Sequence, residues 1–217
     1  MDDKVIGMIT TTMASLKEST SFAMLTLIAI TVSKAQKEDK VKVSSIELAK
    51  EYAGLALFTT LCILIFQTLR LFNNLFFLRN QLTKDGLEIA NFLIRSNPWI
   101  FNPFAETKTS LSFLSDNLGF GILLIIWWLG FHTGFSLLKN SKPIWILVGR
   151  LLSLIYLLFG LLTMIVVSQL ITEINTQVVV KHIVLLAAIP IGSIGINQVY
   201  RYIDKTNSDV GSSSSKN

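Results

Sequence analysis

Between Tyr52 and Tyr200 the chain carries four long runs without a charged side chain: 52–69 (18 residues), 117–138 (22), 151–172 (22) and 182–200 (19). At about 1.5 Å of rise per residue, a helix over each run is roughly 27–33 Å long, the thickness of a bilayer's hydrocarbon core. A helix on the surface of a soluble domain shows charge on its outer face every turn or two, and these runs show none. They also lack the alternation of a barrel strand, and irregular backbone in lipid leaves amides unpaired. The fold class expected is therefore all-α, a polytopic transmembrane helical bundle with four spans and a fifth open at the N-terminus. Composition agrees: 51% of the 217 residues are hydrophobic and 15% are charged, against about 25% charged in soluble domains.

The open question is run 19–33, with 15 uncharged residues. Between Lys17 and Lys34 lie 16 residues, about 24 Å as helix, and both lysines can snorkel. Two alternatives stand. Either this run inserts, giving five helices with the N-terminus outside, or 5–32 forms one interfacial or bundle-packing helix and the N-terminus stays inside. Three regions follow: 1–51 with the marginal helix and a charged connector, 52–200 as the bundle with an outer loop at 70–116, and 201–217 as a flexible tail containing Gly-Ser-Ser-Ser-Ser. The residues before the first run hold Asp2, Asp3 and Glu18 against Lys4 and Lys17, unlike the positive start of a secretory signal. The lone cysteine, Cys62, forms no intrachain disulfide and reads as a small packing residue.

The charges set the topology. One side collects 33–51, 139–150 and 201–217 with eleven basic residues; the other collects 70–116 and 173–181 with six. The first side is then cytoplasmic, with the C-terminus inside a cell inner membrane. The net charge of +5 belongs to this asymmetry and gives no reason to expect direct nucleic-acid binding.

Local signals fill in the organisation. Ser44-Ser45-Ile46-Glu47 fits a capping box, so one helix is expected from Ser45 to about Leu78. A second amphipathic piece, 87–94, follows the Asp85-Gly86 turn signal. Then comes Asn97-Pro98-Trp99-Ile100-Phe101-Asn102-Pro103-Phe104. Its two Asn-Pro steps set turns. Trp99, Phe101 and Phe104 are the rings expected at a headgroup boundary. Two readings of them stand, a folded interfacial loop and an outer contact surface.

Few residues carry chemistry. Gly130 and Gly134 form a GxxxG pattern, and Gly192 and Gly195 follow the Pro190 kink; both pairs suit close helix packing, within a bundle or a homo-oligomer. His132 is an ionisable group inside a run, read either as a pH-responsive site or as a neutral residue bonded to a neighbouring helix. Arg150 either snorkels to cytoplasmic phosphates or faces an anion-selecting vestibule. Asn197 falls near the same inner level, so His132, Arg150 and Asn197 define a candidate inner polar layer. The runs hold no Asp or Glu, as a cation-coupled carrier needs. There is no HExxH, P-loop, correctly spaced GxSxG or Cys/His metal cluster. No catalytic residue, metal or cofactor is expected. The classes left are a membrane sensor or anchor working with a cytoplasmic partner and, as the alternative, an oligomeric pore.

The plan of four uncharged runs, the 97–104 aromatic loop and soluble ends resembles the KwaA family, the membrane subunit of the bacterial Kiwa anti-phage system. The resemblance covers most of the chain as architecture and carries no diagnostic motif. It implies a sensor of phage-induced change at the envelope, in antiviral defence. It also implies a DNA-binding cytoplasmic effector of the KwaB kind as partner.

Overall fold

The computed structural model describes residues 2–35, 40–43, 46–106, 110–137, 143–175 and 178–187, with side-chain surroundings for 2–30, 52–106, 116–125, 127–131, 144, 146–175 and 178–187. In chain order these form α1 (Asp2–Ala35), β1 (Lys40–Val43), β2 (Ile46–Ala49), α2 (Lys50–Arg79), α3 (Lys84–Ser96), α4 (Ser110–Leu137), α5 (Pro143–Ile174) and α6 (Val178–Ala187). The fold is predominantly helical. Two helical segments among the described residues are long and apolar enough to cross a membrane, Tyr52–Arg79 and Ile146–Ile174. Of the other two expected spans, run 117–138 lies almost wholly within α4, whose side chains are described within Asp116–Phe131, and run 182–200 is described only as far as Ala187.

The capping box at Ser44 does not start a helix. Ile46–Ala49 is a strand, antiparallel to Lys40–Val43 with Lys42 opposite Glu47 and Val43 opposite Ile46. The reason is local: Lys40, Val41, Lys42 and Val43 alternate charge with a β-branched residue, and the register puts opposite charges at paired positions. The helix therefore begins at Lys50 and ends at Arg79, one residue past the expected end.

α1 and α2 form the backbone of the molecule. Buried positions on α1 include 5, 9, 12, 16, 19, 23, 27 and 30; on α2 they include 54, 58, 61, 65, 68, 72, 75 and 79. Steps of three and four residues are the knobs-into-holes spacing of paired helices. The pair is antiparallel. The Ser19 and Thr68 hydroxyls share a hydrogen bond of 3.0 Å, Asn74 Nδ2 donates to Thr12 Oγ1 at 3.2 Å, and Asp2 accepts from the Thr83 hydroxyl. Run 19–33 thus lies beside the apolar half of α2.

α5 runs parallel to α2 on its other side. The Cys62 thiol reaches the Leu152 carbonyl at 3.6 Å, the rings of Phe66 and Phe159 lie 5.0 Å apart, and Arg79 meets Glu173. α4 packs against α5 through the Tyr156 hydroxyl, which donates to the Trp127 carbonyl at 2.9 Å. The core is one apolar cluster from Val5 to Ile174, with Phe58, Phe72, Phe104 and Phe120 among its largest fully buried side chains.

Candidate functional site at the head of the bundle

Residues 80–106 fold onto one end of the bundle, together with the start of α1 and the end of α5. The start of α3 is fixed by Thr83. Its Oγ1 accepts from the Gly86 amide at 3.3 Å and donates to the Asp2 carboxylate, tying the N-terminus of α1 to the first turn of α3. Gly86, Ala90 and Ile94 form the buried stripe of α3 at helical spacing.

Asn102 then organises the loop. Its Nδ2 donates to the carbonyls of Ile94 (2.8 Å) and Asn97 (3.3 Å), while its Oδ1 accepts from the Phe104 amide at 3.0 Å. One carboxamide thereby satisfies a late helix carbonyl and closes the turn that aims Phe104 inward. Phe104 meets Phe72 edge-on with ring centroids 6.0 Å apart. Arg95 braces the loop through Glu106 at 2.9 Å. Gly119 lets the loop approach α4: a Cβ there would collide with the Ile100 carbonyl.

Charge is buried behind this loop. Arg79 is 3% exposed; it pairs with Glu173 Oε2 at 2.5 Å and donates from Nε to Asn91 Oδ1 at 3.0 Å. One guanidinium thus ties α2 to α3 and α5. Lys181, at the start of α6, has no exposed surface, and its Nζ lacks a hydrogen-bond partner among the described residues. It lies 6.0 Å over the Phe120 ring. Burial pulls its pKa down to about 8, against the opposing pull of the Asp116 and Glu106 carboxylates. Trp99 Nε1 and both amide atoms of Asn175 are likewise buried without hydrogen-bond partners among the described residues. At His182, Nδ1 donates to the Val178 carbonyl at 2.8 Å, and Nε2 meets Ser168 Oγ at 2.7 Å, pinning α6 to α5.

The residues singled out in sequence fall as follows. Trp99, Phe101 and Phe104 are 3, 8 and 0% exposed, whereas Ile100 between them is 71% exposed. Of the two readings of these three rings, burial fits the folded loop and corrects the outer contact surface: they plug the head, because the Asn102 turn rotates them toward α2 and α4. Gly130 faces the Tyr156 hydroxyl and Leu61, so its close approach is used inside the chain. His132 and Gly134 are on the last turns of α4, with side chains outside the described residues, and Gly192, Gly195 and Asn197 lie outside them as well. Arg150 is exposed on the second turn of α5. The structure thus brings the loop rings together with α2 and α4; of the inner polar layer, the His132 side chain and Asn197 lie outside the described residues.

The residues missed in sequence are those whose partners lie far away along the chain: Arg79 with Glu173, Thr12 with Asn74, Ser19 with Thr68. One signal was present at Glu173, the first charge after run 151–172. Compared with protein-family models, curated proteins and solved structures, the chain matches none.

Proposed function

We propose that the chain is a multi-pass inner-membrane sensor and anchor subunit without enzymatic activity, which reads the envelope through its head and works with a cytoplasmic effector, plausibly a DNA-binding protein in anti-phage defence. The observation that carries this is the continuity of α1 and α2. Helices of 34 and 30 residues are about 51 and 45 Å long. They run without interruption from the head past the apolar belt, α1 as far as Ala35 and α2 back to Lys50, which directly follows β2. A helix pair locked by packing at alternating three- and four-residue steps moves as a unit, so a displacement at Asp2 and Thr83 is delivered to the basic connector at the far end.

The same geometry favours five spans with the N-terminus on the side of the head. Run 19–33 lies beside candidate span α2, and its outward side chains Phe22, Leu25 and Ile28 are exposed and apolar, which suits lipid contact. The alternative, an oligomeric pore, loses one of its supports because Gly130 packs on Tyr156 of the same chain.

The test has two arms. Liposomes holding the purified chain are assayed for ion flux, and bacteria expressing it with the gene encoded beside it are challenged with phage. Silent liposomes, with protection that disappears when Asn102→Ala loosens the head, fit the proposal. A sustained current from the chain alone, or full protection with a loosened head, sinks it.

A further inference from the structure

Exposed side chains change character at one level of the α1–α2 pair. On α2, Ile63 and Phe66 are exposed and apolar; of the exposed positions that follow on the helix, Gln67, Arg70, Asn73 and Asn74 are polar and Phe77 is apolar. On α1 the same switch falls between Phe22 and Ser21, and the Ser19–Thr68 bond puts the two switches side by side. This is the head-side rim of the apolar belt, where lipid headgroups would lie.

At that rim α2 presents an open cavity, a groove lined by Gln67, Arg70, Asn73 and Asn74 and set between the rings of Phe66 and Phe77. Arg70 makes no ion pair or hydrogen bond among the described residues. The sequence holds no Asp or Glu from 52 to 84 to neutralise it along α2. Asn74 is held by its bond to Thr12, while Gln67 and Asn73 present carboxamides to the cavity. An uncompensated guanidinium is a planar fork of donors matched to phosphate oxygens. Carboxamides beside it suit ester and hydroxyl oxygens. The apolar wall begins immediately on the belt side, with Phe66 and then Ile63.

We infer that this cavity binds the phosphodiester of an anionic phospholipid headgroup: Arg70 meets the phosphate, Gln67 and Asn73 meet the glycerol and ester oxygens, and the acyl chains lie along Phe66 and Ile63. The assignment rests on the reading that α2 crosses a bilayer. It deepens that reading by giving the sensor a lipid-responsive site on the helix that joins its two ends. A free phosphate would use Arg70 and leave the apolar wall idle, so the lipid is the better match.

The test uses the purified full chain and native mass spectrometry with phosphatidylglycerol or phosphatidylcholine, alongside thermal unfolding with added inorganic phosphate. The expected result is retention of phosphatidylglycerol about tenfold above phosphatidylcholine, with Arg70→Gln about tenfold weaker, the worth of one charge-assisted contact. Arg70→Lys should be intermediate, and Lys84→Gln on the exposed start of α3 unchanged. Equal unfolding midpoints without lipid establish that Arg70→Gln is folded. Retention by Arg70→Gln equal to the wild-type chain overturns the site. So do equal binding of the two lipids and a shift with inorganic phosphate as large as with phosphatidylglycerol. A chain released from membranes by alkaline carbonate would instead overturn the spanning reading, a separate result from loss of lipid selectivity.

Discussion

Gly130→Ala separates packing within the chain from packing between chains. A Cβ at Gly130 would lie 2.6 Å from the Tyr156 hydroxyl oxygen, 2.9 Å from its Cζ and 3.1 Å from Leu61 Cδ2. Tyr156 has little freedom to retreat, since it is buried, its ring packs on Phe58 at 5.8 Å, and its hydroxyl is held by the Trp127 carbonyl. Overpacking a filled site costs about 1–3 kcal/mol. Pulling the hydroxyl from its acceptor adds about 1–3 kcal/mol for an unsatisfied buried group. Alanine returns about 1 kcal/mol of helix propensity. The net expectation is a loss of about 1–5 kcal/mol, centred near 3, measured by reversible unfolding in detergent or bicelles. Tyr156→Phe removes the nearest atom, so the double variant should recover about 1 kcal/mol relative to the sum of the singles. The reasoning is refuted if Gly130→Ala unfolds within about 0.5 kcal/mol of the wild-type chain, or if it changes oligomer size while leaving unfolding untouched.

Three further outcomes are expected. Lys181→Met should raise stability and flatten its pH dependence. The folded pKa of about 8 lies below the usual 10.5, so the unfolded chain binds more protons between these values. The penalty is full below pH 8 and is relieved as pH rises toward 10.5, about 1.4 kcal/mol per unit of pKa difference, which unfolding at pH 7.5 and 10 will read. Arg79→Met should destabilise by about 2–3 kcal/mol, below the range for a fully buried pair because the Glu173 side chain is 41% exposed; adding Glu173→Gln should recover part of the loss. Asn102→Ala should cost about 2–4 kcal/mol, because two carbonyls and the Phe104 amide lose their partner, and limited proteolysis should then cut within 97–106.

What the sequence made legible is what depends on length and solvent. The uncharged runs locate α2 and α5, because lipid solubility is a sum over residues and needs no knowledge of neighbours. The pairing of α1 with α2 was hidden, since Thr12, Ser19 and Thr20 sit at buried positions and lower the apolar signal, while their hydroxyls are satisfied by Asn74, Thr68 and the helix's own Leu16 carbonyl. The aromatic loop was legible as a loop, with its rings left between a folded interfacial loop and a contact surface. A tryptophan or phenylalanine suits a headgroup boundary and a core equally well, and the choice was made by the Asn102 turn and by Phe72, thirty-two residues away from Phe104. GxxxG announces a close approach without naming its partner, and here the partner of Gly130 is Tyr156. Lys181 read as the edge of a loop, because its burial under Phe120, Asp116 and Glu106 comes from tertiary packing alone.

The central claim is that α1 and α2 cross the membrane together, so that the N-terminus and the head share one side and the hairpin faces the other. Cys62 is the sole cysteine, so Cys62→Ser gives a blank background for labelling. Single cysteines at Asp3, Lys84 and Lys42 are reacted in intact bacteria whose outer membrane has been made permeable, with a maleimide that cannot cross the inner membrane. The account predicts labelling at positions 3 and 84 from the outside, and labelling at 42 only after the inner membrane is opened. Labelling at positions 3 and 84 from opposite sides, or equal labelling of all three in intact cells, would contradict it.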